Sequence, residues 1–310
     1  MNVTFRQLKL FLALVELRSL TAVAHSMHVT QPTVSMQMRD LQDAVGLPLY
    51  EVIGKQLYIT AAGEELAIAA RAMTEEWSVF GQKIAAMQGL TQGRLRLAVV
   101  STAKYFVPRM LGAFCREFPE IDIALEVQNR DGVLQRLREN RDDLTIMSMP
   151  PKDLDIEQEI FLPNPLRVIA AVSHPLAARK RLKLSDLAHE RFILREKGSG
   201  TRLACDRYFS DQGFQARVRL ELGSNEAIKQ AVAAEMGIAV LSQHALGEHL
   251  VDESLLELPV AGFPIHSNWY IVYPKGKRLT PVAQKFLSYL QASTRESEGS
   301  AFVGRHDVLL

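Results

Sequence analysis

A chain of 310 residues with 47% hydrophobic and 23% charged residues has the composition of a soluble globular protein of two or three domains. It contains no run of about 18 apolar residues and no basic-then-apolar leader at the N-terminus, which predicts a cytoplasmic protein with no membrane partner. A formal net charge of +1 does not advertise nucleic acid, and the two cysteines, Cys115 and Cys205, lack any metal-ligand or CxxC spacing.

Thr4 and Gln7 fit a capping box, and Leu8, Phe11, Leu12 and Val15 follow at helical spacing, so a first helix opens the chain. From Leu20 to Val45 the pattern is two short helices joined by a tight turn at His28-Val29. Thr30 is placed to cap the second of them, with Pro32 in its first turn, where a missing N–H is harmless. Val34, Met38, Leu41 and Val45 form its buried face. Gln31, Thr33, Ser35, Met36 and Arg39 then point outward, the arrangement that lets a helix read a DNA major groove. An ordinary helical hairpin with a solvated face would show the same spacing.

Gly46 ends this third helix, and Leu49-Tyr50-Glu51 and Leu57-Tyr58-Ile59 flank Gly54-Lys55 as a small hairpin. Three helices and a two-stranded wing make a winged helix-turn-helix. Its candidate DNA-binding residues are Thr30, Gln31, Pro32, Thr33, Ser35, Met36, Arg39 and Lys55. Residues 1–60 carry five cations (Arg6, Lys9, Arg18, Arg39, Lys55) against four acids (Glu16, Asp40, Asp43, Glu51), so DNA binding here needs two copies and backbone N–H contacts besides charge. Thr60 caps a long helix running to about Gln88. Its Leu66, Ala70, Met73, Trp77, Phe80 and Ile84 recur as a heptad seam, the predicted dimerisation surface.

Gly89 to Gly93 breaks that helix, and the grammar then changes to alternating strands and helices, an α/β sheet, parallel or mixed. Leu95 to Val99, Ile121 to Val127 and Leu144 to Met147 read as strands; Tyr105 to Phe118 and Asp131 to Glu139 read as helices. The pattern continues through Leu166–Val172, Ser185–Ala188 and Phe192–Leu194 to a helix from Thr201 to Gly213 and a strand from Val218 to Leu222. A helix from Glu226 to Glu235, strands at Ile238–Leu241 and Trp269–Tyr273, and a last helix from Thr280-Pro281 to Leu290 complete it. The residues from Ser293 to Leu310 are polar and unpatterned and read as a loose tail.

Ligands of such sheets settle at strand carboxyl ends and helix N-termini. Three loops qualify: Ser101 to Tyr105, the glycine-containing Arg195 to Arg202, and Ser224-Asn225-Glu226. The loops after the second and third strands add Asn129, Arg130 and Met147 to Pro150. Lys104, Arg130, Arg195 and Arg202 together suit a carboxylate or phosphate. No HExxH pair, nucleophile elbow or base–nucleophile–orienter set is present, so neither an enzyme nor a metal site is expected.

These parts together resemble the LysR-type transcriptional regulators over nearly the whole chain, through RQLKLFLALVE, SLTAVAHSMHVTQPTVS, DLQDAVGLPLYE and Thr60-Ala-Ala-Gly63. The resemblance implies an α+β winged helix-turn-helix domain (1–60), a dimerisation linker helix (61–89) and an α/β two-lobed effector domain like type 2 periplasmic binding proteins. The chain would cross twice between lobe I (90–163 and 267–295) and lobe II (164–266), leaving 296–310 as the tail. STAKYFVP, FILREKGSGTR, LGSNEAIKQAV and MGIAVLS look like the CbbR branch, which controls Calvin-cycle carbon-fixation operons. That branch implies a phosphorylated or NADPH-like effector, no cofactor, operator DNA bound by a dimer of dimers, and RNA polymerase as a further partner. Carried over by position, the effector-binding residues are Ser101, Thr102, Lys104, Asn129, Arg130, Gly200, Thr201, Arg202, Asn225 and Glu226. The alternatives are a LysR-type regulator of another operon with a non-phosphorylated carboxylate effector, and a stand-alone small-molecule binding protein. Val52 and Met149 stand where the family usually has arginines.

Overall fold

The structure is a computed structural model that describes residues 2–54, 56–87, 92–247 and 254–300. The chain divides into two compact units, Met1–Gly89 with Glu139–Arg141, and Leu90–Arg138 with Asp142–Leu310.

In the first unit, helix α1 (Phe5–Leu17) starts at the capping box: Gln7 N donates to Thr4 Oγ1 at 3.3 Å and Thr4 N donates to Gln7 Oε1 at 2.8 Å. Helix α2 (Leu20–Ser26) leads through the turn to α3 (Gln31–Val45), which Thr30 caps and Gly46 closes in the left-handed region at φ +81°. Val34, Met38 and Leu41 are fully buried against Phe11, Leu14 and Val23, while Val45 packs at the rim of that core. Strands β1 (Tyr50–Ile53) and β2 (Gln56–Ile59) pair antiparallel, Tyr50 opposite Ile59, as the wing.

Helix α4 (Ala61–Met87) begins where Thr60 Oγ1 accepts from Gly63 N and donates to the Pro48 carbonyl. Twenty-seven residues at about 1.5 Å each make it roughly 40 Å long. Its first turn lies so close to the wing that a Cβ on Gly63 would come within 2.1 Å of the Leu49 carbonyl oxygen, a backbone atom that cannot step aside. The heptad positions divide. Leu66 packs on the core of the head and Ala70 is buried, whereas Met73, Trp77, Phe80 and Ile84 are exposed, Trp77 by 63%. The Trp77 ring is flanked by Phe5 and Phe80 at centroid distances of 5.8 and 5.7 Å.

The second unit is built on two five-stranded mixed sheets. In the first, β3 (Gly93–Val100) pairs parallel with β4 (Ile121–Gln128) and β5 (Leu144–Met147). β12 (Asn268–Pro274) runs antiparallel between β5 and the edge strand β6 (Ile156–Pro163). In the second, β8 (Arg191–Arg195) lies parallel between β9 (Arg217–Leu222) and β10 (Ile238–Ser242). β7 (Leu166–Ala171) runs antiparallel between β10 and β11 (Leu255–Glu257). The chain passes from one sheet to the other between Pro163 and Leu166 and again between Glu257 and Asn268. The two passages are tied where Asn164 N donates to the Ser267 carbonyl at 2.8 Å. Helices α5 (Val107–Glu117), α6 (Arg130–Arg138) and α10 (Pro281–Ser300) cover the first sheet; α7 (Gly200–Asp211), α8 (Asn225–Ala233) and the short α9 (Gln243–Leu246) accompany the second.

The structure revises several expected elements. Ser101–Tyr105 is a 3-10 turn and α5 starts only at Val107, because Pro108 lacks an N–H and fits a helix only in its first turn. Ser185–Ala188 falls in a 3-10 turn over Leu184–Leu187, held by Lys183 N donating to Asp186 Oδ2. Strands β6 and β11 were not anticipated: β6 is a solvent-facing edge in which Glu157, Gln158 and Glu159 obscure the alternation, and β11 has three residues. The last helix continues past Leu290 and Ser293 to Ser300; residues 301–310 of the expected tail lie outside the described residues. Among the described residues no helix is long and apolar enough to cross a membrane.

The tight approach at Gly63 gives a direct test. Gly63→Ala should destabilise the protein by roughly 2 kcal/mol, since the added methyl overpacks against backbone. Chemical denaturation followed by circular dichroism measures this, and an unchanged midpoint would show that α4 and the wing are free to separate.

Candidate functional site

The outward face of α3 carries the expected groups. Gln31, Pro32, Met36 and Arg39 are exposed, and Met36 leaves 54% of its surface in solvent. Thr33 and Ser35 are half-buried. Thr30 and Thr33 share a hydroxyl hydrogen bond of 2.8 Å, and Gln31 Nε2 donates to Ser35 Oγ at 2.9 Å. The N-terminus of α3, where Thr30 Oγ1 already accepts from Thr33 N and Pro32 carries no N–H, meets solvent beside short polar side chains, a surface suited to phosphates and base edges. Lys55 lies outside the described residues.

The second candidate site lies where the two sheets face each other, and it is organised by a residue at the carboxyl end of β8. Arg195 is 3% exposed. Its Nη1 donates to Thr102 Oγ1 at 3.0 Å and to Asn225 Oδ1 at 2.9 Å, and its Nη2 donates to Ser101 Oγ at 3.2 Å. Two more bonds go to Glu196: Nε to Oε2 at 2.8 Å and Nη2 to Oε1 at 2.9 Å, a side-on fork. Asn225 Nδ2 also donates to Thr102 Oγ1, at 3.2 Å. Ser101 and Thr102 follow β3 of the first sheet; Arg195 and Asn225 belong to the second. One buried guanidinium thus joins both.

Beside it is a cavity of about 10 Å³, room for a single water, lined by Ser101, Thr102, Arg130, Ser148, Arg195, Ser199, Gly200 and Thr201 together with Val100. Arg130 enters from the start of α6, donating through Nη2 to the Met149 carbonyl at 3.0 Å, and its buried Nε has no hydrogen-bond partner among the described residues. Burial pulls its guanidinium below the ordinary arginine value. Gly200 admits no side chain, since a Cβ there would lie 2.3 Å from Ser148 Oγ and 3.1 Å from the Ser148 carbonyl oxygen. A larger pocket, about 480 Å³, opens one turn further along α7, between Ala204, Arg207 and Tyr208 and the passage Pro264 to Asn268.

Of the ten expected effector-binding residues, Ser101, Thr102, Arg130, Gly200 and Thr201 line the small cavity, and Asn225 sits behind it on Arg195. The other four are placed elsewhere. Asn129 caps α6, its Oδ1 accepting from Gly132 N at 2.9 Å. Arg202 turns away: its Nε donates to Asp206, and its Nη1 donates to the Arg195 carbonyl and lies 3.0 Å from Glu221 Oε1. Burial alone would lower its guanidinium, but those two carboxylates raise it. Lys104 and Glu226 pair with each other at 3.1 Å across the two sheets, and Tyr105 donates to the same carboxylate. The ten omit Ser148, Ser199 and, above all, Arg195, which the sequence marks only as one of four cations near the cleft. Only its tertiary contacts, with Thr102 and Asn225, set it apart from the other cations. Among the described residues no cluster of three or more histidine, cysteine, aspartate or glutamate side chains could hold a metal ion.

Burial would raise the Glu226 carboxyl, but hydrogen bonds from Tyr105, its own backbone N–H and Lys104 outweigh it and hold the group down at about 2. The Tyr105 phenol is pushed up by burial and by that carboxylate. A depressed carboxyl stabilises the fold fully above its ordinary value of 4.5, and the contribution is lost as pH falls toward 2. The melting-temperature gap between the wild type and Glu226→Gln should therefore be widest above pH 4.5 and shrink on acidification. A gap independent of pH would show that this clasp contributes nothing through its charge.

Comparison with known proteins places these two sites in one lineage. Residues 5–64 match the bacterial regulatory helix-turn-helix proteins of the lysR family, and residues 88–295 match the LysR substrate binding domain. The RuBisCO operon transcriptional regulator of Acidithiobacillus ferrooxidans is 45% identical over 96% of this chain and 96% of its own. The regulatory domain of CcmR from Synechocystis PCC6803, solved in complex with 2-PG, is 50% identical, covers 66% of this chain and 98% of its own, and superposes with a TM-score of 0.63. A full-length OxyR variant of Pseudomonas aeruginosa shares the fold over 95% of both chains, with a TM-score of 0.74 at 20% identity. A winged helix-turn-helix head and a two-sheet α/β sensing domain in one polypeptide are the two halves of a transcriptional regulator, and the chain belongs to the LysR family.

Proposed function

We propose that this protein controls the transcription of carbon-fixation genes in response to a small anionic, phosphorylated metabolite held between the two sheets of its effector domain. The observation that carries this reading is Arg195, a buried guanidinium framed by the hydroxyls of Ser101 and Thr102 and the amide of Asn225, with Arg130 across the same cavity. Two arginines, hydroxyls and the N-terminus of α7 at Gly200 form a surround for a phosphate group. The near-complete match to a RuBisCO operon regulator supports the gene class, and the CcmR regulatory domain bound to 2-PG supports the ligand class.

On this reading α3 lies in the major groove, with Gln31, Thr33, Ser35, Met36 and Arg39 toward base edges and Thr30 and Pro32 at the phosphates. The apolar strip of Met73, Trp77, Phe80 and Ile84 is covered by a second copy, because four large apolar side chains in a row on one exposed helix face are best buried by pairing. Two heads then engage successive half-sites, and two such pairs form the assembly that occupies an interrupted palindrome.

Two measurements test the reading. In a thermal-shift titration 2-phosphoglycolate should stabilise the wild type, and Arg195→Met should abolish the shift; an undiminished shift in the variant removes the effector from this cavity. In gel shifts with the DNA beside the protein's own gene, Arg39→Ala should weaken binding by about 1–3 kcal/mol, roughly fivefold to 150-fold. Equal affinity of both proteins at several salt concentrations would take Arg39 out of the interface.

A further inference from the structure

We propose that Glu196 is a tethered stand-in for the effector's anionic group, a built-in competitor that sets how strong and how highly charged an effector must be. The inference rests on the assignment of an anionic effector to Arg195 and adds to it the identity of the group that the effector displaces.

A guanidinium has five N–H donors. All five of those on Arg195 are matched by protein acceptors: one Nη1 hydrogen by Thr102 and the other by Asn225, one Nη2 hydrogen by Ser101, and the remaining Nη2 hydrogen and Nε by the two oxygens of Glu196. No donor is left for a ligand, and the adjoining space holds about one water. An anion reaches Arg195 only by replacing one of these partners.

Glu196 is the partner built to leave. Thr102 and Asn225 are buried and bonded to each other, so moving either opens a second unsatisfied group. The Glu196 side chain is 30% exposed. Its backbone is fixed at both ends, Glu196 N donating to the Leu222 carbonyl and the Glu196 carbonyl accepting from Ser199 N, so release needs only rotation of the side chain. The geometry it vacates is a side-on fork with oxygens at 2.8 and 2.9 Å, the pattern in which arginine receives a phosphate or a carboxylate.

A carboxylate on the adjacent residue competes at an effective concentration of about millimolar or above. A simple monocarboxylate offers nothing that Glu196 does not already supply. A phosphomonoester carries nearly two charges and a third oxygen, which Ser101, Thr102 and Arg130 can engage. Glu196 therefore selects dianionic phosphates over monoanionic acids.

Isothermal titration of the full-length protein with 2-phosphoglycolate and with glycolate tests this. Removing a competitor engaged about nine-tenths of the time raises affinity about tenfold. Glu196→Gln and Glu196→Ala should each bind 2-phosphoglycolate about tenfold more tightly than the wild type and acquire measurable binding of glycolate. Glu196→Asp, which keeps the charge on a shorter arm, should fall between. Equal or weaker affinity in variants that melt like the wild type overturns the proposal and makes Glu196 a support that orients Arg195. Binding by neither the wild type nor any variant overturns the anionic-effector reading itself, and the proposal with it.

Discussion

The effector domain depends on how a single buried charge is satisfied. A guanidinium removed from water is strongly unfavourable unless its donors are matched and its charge is balanced. Arg195 meets both conditions only with partners from three separate segments: Ser101 and Thr102 after β3, Glu196 beside it, and Asn225 at the head of α8. The two sheets are brought together at this point not by apolar contact but by the hydrogen-bonding demand of one residue. On the proposed reading, a change in the set of acceptors around Arg195 changes how the sheets face each other. The proposed small anion would be an effective input, since it carries the charge and the oxygens that this demand requires.

The surrounding contacts are arranged around the same constraint. Gly200 permits the α7 N-terminus to touch Ser148, closing one side of the cavity. Lys104, Tyr105 and Glu226 close the outer side with a more exposed and more easily broken clasp. Arg130, with a buried Nε lacking a partner among the described residues, is the group whose hydrogen bonding an incoming oxygen would complete. Among the described residues lining this cavity, the hydrogen bonding is thus nearly saturated, with Arg130 Nε the unmet donor and Glu196 the charged acceptor proposed to swing out.

How much of this the amino-acid sequence disclosed depended on whether the signal was local. Thr4 with Gln7, Thr30 with Pro32, and Thr60 declare helix ends through their own side chains and Gly46 through its left-handed backbone, and each end lies where expected. The head was legible for that reason. Strand β6 was not, because an edge strand need not alternate and its glutamates read as loop. The site was half legible. Strand-end hydroxyls and glycines pointed to the right loops, yet Arg202 and Arg195 were indistinguishable as cations until tertiary contacts gave one of them Asp206 and Glu221 and the other the cavity. Lys104 and Glu226, read as two ligand groups, turn out to neutralise each other, a pairing across 122 positions that no spacing rule encodes.

The weak charge of the head bears on how such a sensor can control anything. Five cations against four acids in residues 1–60 give one head little of the phosphate attraction that supplies most non-specific affinity. A single head with a large positive field would hold DNA regardless of what the sensor reports. A head that binds weakly alone gains occupancy chiefly through simultaneous engagement with its neighbours, and that gain vanishes when geometry forbids both from docking at once. The proposed assembly therefore converts a change in the spacing or angle of its heads into a large change in occupancy. Modest charge on α3 and its wing is then a condition of control by the metabolite, and the exposed strip on α4 is the feature that makes the condition workable.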